Sequence, residues 1–205
     1  MFKNKFFLLS VGAVIVAILV YSFVGNEDTK SSQIIDNEYV KTIQSSRNDK
    51  DSYLKKDSAS PIEAKVSFTG LKYFEVNPTY RVVGKIDRLS SGQTINISMS
   101  GGEVEEYEAY GNVKFELSGA KYALKIFKTP EGNLFLPFKD LTSNKETYGA
   151  GRYLDFGIDE VKGNEIDIDF NKAYHPYCAY NHTFTCPVPP AENFLNVVIK
   201  AGERL

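Results

Sequence analysis

From Ile62 to the end of this chain the apolar residues recur at every second position, the spacing of strands with one face buried. The alternation runs through Val66 and Phe68, Tyr80 and Val82, Ile95, Ile97 and Met99, and Val113, Phe115 and Leu117. It continues through Tyr122, Leu124 and Ile126, Leu134, Leu136 and Phe138, Ile166, Ile168 and Phe170, and Val197 and Ile199. Glycine and asparagine separate these runs. Ser118-Gly119 and Pro130-Glu131-Gly132-Asn133 have the chemistry of tight turns, so residues 111–138 are predicted to form a three-strand meander. Many short strands without a long helical pattern between them imply a mainly β domain, a single closed barrel or a two-sheet sandwich of short antiparallel strands. The chain carries 13 Tyr and 14 Phe but no Trp, an aromatic content that suits sheets. About 145 residues lie in this region, enough for one core and one domain over 61–205.

A second signal precedes that domain. Lys3 and Lys5 open the chain, and the 19 residues 6–24 then carry no charge. As a helix this run reaches roughly 28 Å, close to the hydrocarbon thickness of a bilayer. Residues 1–24 therefore read as a signal-anchor or transmembrane segment that meets the membrane through residues 6–24. Lysines before the run and Glu27-Asp28 after it put the amino terminus in the cytoplasm and the domain outside the cell membrane, periplasmic or extracellular. The alternative is a signal peptide cleaved near Val20-Tyr21-Ser22, which secretes the domain. No cysteine lies near the run, which excludes lipoprotein processing.

Residues 25–60 read as a linker and a juxtamembrane helix. Ile35, Tyr39, Ile43, Tyr53 and Leu54 fall partly at helical spacing between Ile34 and Lys56, and Asp57 to Pro61 stops the pattern. The middle, Gln44 to Ser52, is polar all round, so this helix is expected to pack only at its ends or to stand as a spacer. Without Lys3 and Lys5, 22 of the 24 basic residues face 26 acidic ones, a net charge of −4 beyond the anchor. That balance excludes the dense basic patch of a nucleic-acid-binding protein.

The last third holds the most distinctive sequence. Residues 145–155 read Lys-Glu-Thr-Tyr-Gly-Ala-Gly-Arg-Tyr-Leu-Asp, and Asp167 to Asn193 includes Asp-Phe-Asn at 169–171 and Cys-Pro-Val-Pro-Pro at 186–190. With Phe-Lys-Asp-Leu-Thr at 138–142, Glu-Thr-Tyr-Gly at 146–149 and Gly-Arg-Tyr-Leu at 151–154, the chain resembles an uncharacterised, largely bacterial family, domain of unknown function 1684, over roughly residues 45–203. It departs from that pattern at His175 and His182. The resemblance implies no activity.

Cys178 and Cys186 are the only cysteines. In an oxidising compartment such an isolated pair most simply forms a disulfide, worth about 2–3 kcal/mol. The alternative is metal: His175, Cys178, His182 and Cys186 offer two nitrogens and two sulfurs, the ligand set of a structural zinc site, although all four would have to converge within one short loop that Pro176 stiffens. Free buried thiols are the third possibility. Nothing else calls for a cofactor.

Gly149 and Gly151 before Arg152 allow a close backbone approach, an anion cradle or else a bent turn whose Arg152 pairs with Asp155, Asp169 or Glu192. Glu146, Asp155, Asp167, Asp169 and Glu192 offer the two carboxyls that glycan hydrolysis needs at about 5–9 Å. In Asp167-Ile168-Asp169 the two aspartates are expected to share one sheet face. No Gly-x-Ser-x-Gly elbow occurs. The leading expectation is a membrane-anchored, non-catalytic binding module with Tyr148, Arg152, Asn171, Glu192 and Asn193 around a polar site. The rival is a hydrolase using two of Glu146, Asp155, Asp169 and Glu192. The two make different demands: a binding module needs one convergent pocket, and a hydrolase also needs two carboxyls facing each other across it.

Overall fold

The structure is a computed structural model describing residues 37–205, which divide into a unit ending at Gln44 and a unit from Ser45 to Leu205. The expected transmembrane segment, 1–24, lies outside the described residues. No helix within the described residues is long and apolar enough to cross a membrane. A helix, α1, covers residues 37–56. Its residues 37–44 belong to the first unit, where Thr42 Oγ1 donates to the Glu38 carbonyl at 3.0 Å. At the other end the chain turns off as expected: the Asp57 carboxylate accepts from Ala59 N at 2.8 Å, and Ser60 Oγ donates to the Leu54 carbonyl at 2.6 Å.

Within the second unit α1 packs through the polar middle that was expected to stay free. Arg47 stacks on the Tyr73 ring at 4.5 Å and donates to the Phe74 and Asn171 carbonyls at 3.0 and 3.3 Å. Lys50 pairs with the buried Glu203 at 2.5 Å, and Asp51 accepts from Leu71 N at 3.1 Å. The expectation fails because a polar stripe docks when buried carbonyls and a carboxylate await it.

The second unit is mainly β. β2 (Arg81–Arg88), β4 (Val104–Leu117), β5 (Ala120–Lys128), β6 (Leu134–Asp140), β7 (Arg152–Phe156) and β8 (Glu165–Asp169) form an antiparallel sheet in the order β7-β6-β5-β4-β2-β8. β3 (Thr94–Ser98) adds to β4, and the short β9 (Phe194–Leu195) adds to β6 in parallel. A separate pair joins β1 (Lys72–Tyr73) to β10 (Glu203–Arg204). The large sheet curls into a half-barrel whose ends, β7 and β8, do not pair, so the ladder is open rather than closed. The 111–138 meander forms as expected, and its first turn has φ 52° at Ser118 and 78° at Gly119, the double positive φ of a two-residue hairpin loop.

Two expected strands are absent. Val66 lies in a turn and is fully exposed, and Val197 to Ile199 pass as a strap held by Leu141 N to Val197 O at 3.0 Å and Ile199 N to Asp140 Oδ2 at 2.8 Å. Alternation alone does not make a strand without a ladder of hydrogen bonds to a neighbour.

The concave face buries Val113, Phe115, Leu124, Ile126, Leu134, Leu136, Phe138, Leu154, Ile168 and Phe170 in one core. The opposite face of β5, β6 and β7 carries a second cluster, Phe127, Phe135 and Tyr153, covered by Cys178 and Cys186. β6 is therefore buried on both sides, and its sequence Leu-Phe-Leu-Pro-Phe has no polar alternate. The segment that covers this outer face brings residues 174–187 against β7 and creates a cleft.

Candidate functional site

Most of the residues singled out above hold the fold together. Arg152 lies at the start of β7, 1 % exposed, and its guanidinium donates to the carbonyls of Ala201 at 2.5 Å and Ile199 at 2.9 Å. Its carboxylate partner is Asp140 at 3.4 Å, not Asp155, Asp169 or Glu192. Burial pulls the guanidinium below its usual pKa, and the Asp140 carboxylate opposes the shift. The expected anion cradle is thus filled by the chain itself, because the carboxy-terminal strap supplies the acceptors. Gly151 has φ +108°, and a Cβ there would lie 2.7 Å from the Phe138 carbonyl oxygen and 2.8 Å from Pro189 Cγ. Gly151→Ala is expected to cost about 1–3 kcal/mol, measured as a lower urea midpoint at unchanged slope.

Asn171 bonds to the backbone of Asn77 in both directions at 2.9 Å, and Asn193 bridges Lys125 to the Pro137 carbonyl, with Lys125 N to Oδ1 at 2.7 Å and Nδ2 to Pro137 O at 2.6 Å. β5 and β6 pair only at Phe127 and Lys128, and the Asn193 amide spans the strands beyond that point. Glu192 is at the surface, paired with Lys125 at 3.2 Å, and Glu146 with Lys200 at 3.1 Å. Asp167 is exposed and receives Arg81, whereas Asp169 is buried and caps Asn171 N at 3.0 Å, so the two aspartates do not share one environment. Tyr148 offers its amide to His175 Nε2 at 3.3 Å. Tyr148, Arg152, Asn171, Glu192 and Asn193 are thus each engaged with other parts of the chain, and none of them lines the cleft between α1, β7 and the 174–186 segment.

Cys178 and Cys186 are buried free thiols, the Cys178 amide donating to Cys186 Sγ at 3.3 Å. Burial, then the neighbouring Cys178, pushes the Cys186 thiol up to about 12. The reduced native protein is therefore expected to alkylate at Cys186 at least about a hundredfold more slowly than the unfolded chain, read by mass after iodoacetamide; equal rates would show the thiol to be open. His175 is turned toward Glu203 and His182 is exposed; among the described residues no group of three or more His, Cys, Asp or Glu is arranged to hold a metal ion.

The cleft lies where α1, β7 and the 174–186 segment meet. Its volume is ≈ 490 Å³, and its walls include Lys50, Tyr53, Tyr153, Asp155, Tyr174 and Tyr177, with Phe184, Thr185 and Cys186 from the loop. Tyr153 and Tyr174 meet edge to face at 5.7 Å, and Tyr177 and Phe184 do the same at 5.5 Å. A backbone bridge between Tyr153 and Tyr174, at 2.9 and 3.1 Å, fixes the first pair. The Tyr174 hydroxyl donates to Asp155 Oδ2. Asp155 opens to the cleft, but the rings about it withhold enough water to push its carboxyl above the usual range; the Tyr174 hydroxyl and Lys50 oppose this. Burial, then hydrogen bonding to Tyr53, pushes Tyr177 up to about 12.

Behind the cleft sits a polar cluster that sequence did not reveal. Glu203, 1 % exposed, accepts from Lys50 at 2.5 Å, from His175 N at 2.7 Å and from the Tyr180 hydroxyl. Lys50 Nζ also rests 4.4 Å from the centre of the Tyr174 ring. Of the cleft residues, sequence singled out Asp155 and Cys186; the Tyr174-x-x-Tyr177-x-x-Tyr180 spacing was the available signal for the rest.

The fold has a known counterpart. An uncharacterized protein from gene locus rrnAC0354 of Haloarcula marismortui, solved in solution by NMR, is 33 % identical, with a TM-score of 0.65 over 83 % of this chain and 96 % of that one. Comparison with curated proteins finds no match. The family model described as protein of unknown function DUF1684 matches residues 66–204, and the chain belongs to that family.

Proposed function

We propose that this protein is a membrane-anchored, extracytoplasmic binding module whose ligand enters the cleft between α1, β7 and the 174–186 segment. One observation carries the reading: five aromatic residues, Tyr53, Tyr153, Tyr174, Tyr177 and Phe184, line the cleft together with a single carboxyl, Asp155, which accepts from the Tyr174 hydroxyl. A volume of ≈ 490 Å³ is in the range of small-molecule sites, which are apolar with a few placed polar groups. The hydrolase alternative asks for a second carboxyl across the cleft, and Glu146, Asp169 and Glu192 all lie elsewhere.

The chain has no tryptophan, so Phe184→Trp in the full chain is a reporter without background. Saturable fluorescence change is expected with one of a saccharide, an organic ammonium and an organic carboxylate. No change with any of the three up to about 10 mM would remove the reading. The address rests on residues 1–24: membrane-fraction protein that begins at Met1 supports the anchor, and Phe23 as the mature amino terminus would replace it with secretion.

A further inference from the structure

The charges around the cleft indicate which of those three classes it takes. Among its lining residues the one basic side chain is Lys50 and the one carboxyl is Asp155. Lys50 is already engaged: its ammonium lies 2.5 Å from Glu203 Oε1, and that carboxylate is 1 % exposed, so the two form a neutral pair built into the wall. Asp155 has no ion-pair partner among the described residues, and its hydrogen-bond partner is the Tyr174 hydroxyl. The cleft therefore presents one carboxylate with no directly paired cation, since Lys50, which acts on it through space, is held by Glu203. An anionic ligand would meet that charge with no free cation to receive it.

The walls favour the same sign. A tyrosine or phenylalanine ring is negative over its face and attracts cations that come within about 6 Å of its centre. Lys50 Nζ, 4.4 Å from the centre of the Tyr174 ring, shows an ammonium accepted by this wall. Edge-to-face packing of Tyr153 on Tyr174, at 86° between planes, and of Tyr177 on Phe184, also at 86°, sets the rings of each pair in different orientations, so a compact ligand meets both faces and edges. A group that is apolar over its surface and positive at its centre suits rings and carboxylate together.

We propose that the cleft binds an organic ammonium ion, its alkyl groups against Tyr53, Tyr153, Tyr177 and Phe184 and its charge facing the Asp155 carboxylate. The proposal rests on the reading of the cleft as a binding site and adds the ligand's chemical class.

The test is calorimetric titration of the full chain with choline, with its neutral carbon isostere 3,3-dimethylbutan-1-ol, with glucose and with acetate. Choline is expected to bind one to one and at least about tenfold more tightly than the isostere. Asp155→Asn, at an exposed position, is expected to keep the fold and to weaken choline about tenfold, leaving the isostere unchanged. Tyr177→Leu is expected to weaken choline more than the isostere, and unchanged circular dichroism melts show that both variants fold. Equal binding of choline and isostere overturns the proposal, as does choline binding indifferent to Asp155→Asn. Binding of glucose or acetate instead overturns the ammonium and leaves the cleft standing; no binding by any of the four removes both.

Discussion

Replacing Arg152 by methionine is expected to cost about 3–5 kcal/mol, a large share of the roughly 5–15 kcal/mol that holds a domain together. The side chain is 1 % exposed and joins β7 to the carboxy-terminal strap through the Ala201 and Ile199 carbonyls. The variant loses those bonds and leaves Asp140, 2 % exposed, as a buried carboxylate without its cation. Asp140 keeps Thr142 Oγ1 at 2.7 Å and Ile199 N at 2.8 Å, which is too little to offset the charge. The double variant Arg152→Met, Asp140→Asn is expected to recover part of the loss, since no buried charge remains. Urea midpoints of the wild type, both single variants and the double form a cycle. A loss below about 1 kcal/mol in Arg152→Met would show that β7 and the strap hold together by packing alone.

Acid is expected to unfold the domain through His175. Burial first, then the charges of Arg152 and Lys50, lowers its pKa to about 3 from the usual 6.5. Glu203 Oε2 lies 3.9 Å from Nδ1, beyond hydrogen-bond reach, and is already occupied by His175 N and the Tyr180 hydroxyl. Tyr148 and Tyr180 cover the ring at 6.3 and 6.4 Å between centroids. Between pH 6.5 and about 3 the unfolded histidine binds a proton that the folded one refuses, so stability is full above pH 6.5 and is lost as pH falls through this window. The ceiling is about 5 kcal/mol, at 1.36 kcal/mol per pH unit across this window. Asp155 acts in the opposite sense, since its raised carboxyl favours the folded state as acid protonates it, and it flattens part of the slope. Urea midpoints from pH 7.5 to pH 4 are expected to fall for the wild type and to fall less for His175→Gln. Equal slopes would show that His175 is not buried neutral.

Parts of this fold are legible because their physics is local. In β4 and β5, Val113, Phe115, Leu117, Leu124 and Ile126 alternate with exposed Lys114 and Glu116 and half-buried Lys125, and Ser118-Gly119 supplies the turn. β7 escaped the alternation rule because all of it but Asp155 is buried: Tyr153 lies in the outer cluster, Leu154 and Phe156 in the inner core, and Arg152 is held inside by carbonyls that arrive from residues 199 and 201. The same cause hid the docking of α1, whose Arg47, Lys50 and Asp51 read as solvated until Phe74, Glu203 and Leu71 come up against them.

The candidate site shows the same division. Asp155 and Cys186 were singled out in the sequence, but the meeting of Asp155, Tyr174 and Tyr177 with Lys50 and Tyr53 joins positions more than a hundred residues apart. Arg152, Asn171 and Asn193 looked like site residues because polar side chains inside a strongly patterned segment suggest ligand chemistry. Here the ligand is the backbone of the chain itself.

The central claim is that the cleft walled by Tyr53, Tyr153, Tyr174 and Tyr177 is where this domain meets its ligand. Solution NMR of the full chain carrying ring-labelled tyrosine, titrated with choline, tests it most directly. Saturable shifts are predicted for those four rings, with Tyr110 and Tyr122, which pack on the other core, unmoved. Shifts at Tyr110 and Tyr122 equal to those at the cleft, or no shift with choline, glucose or acetate, would contradict it.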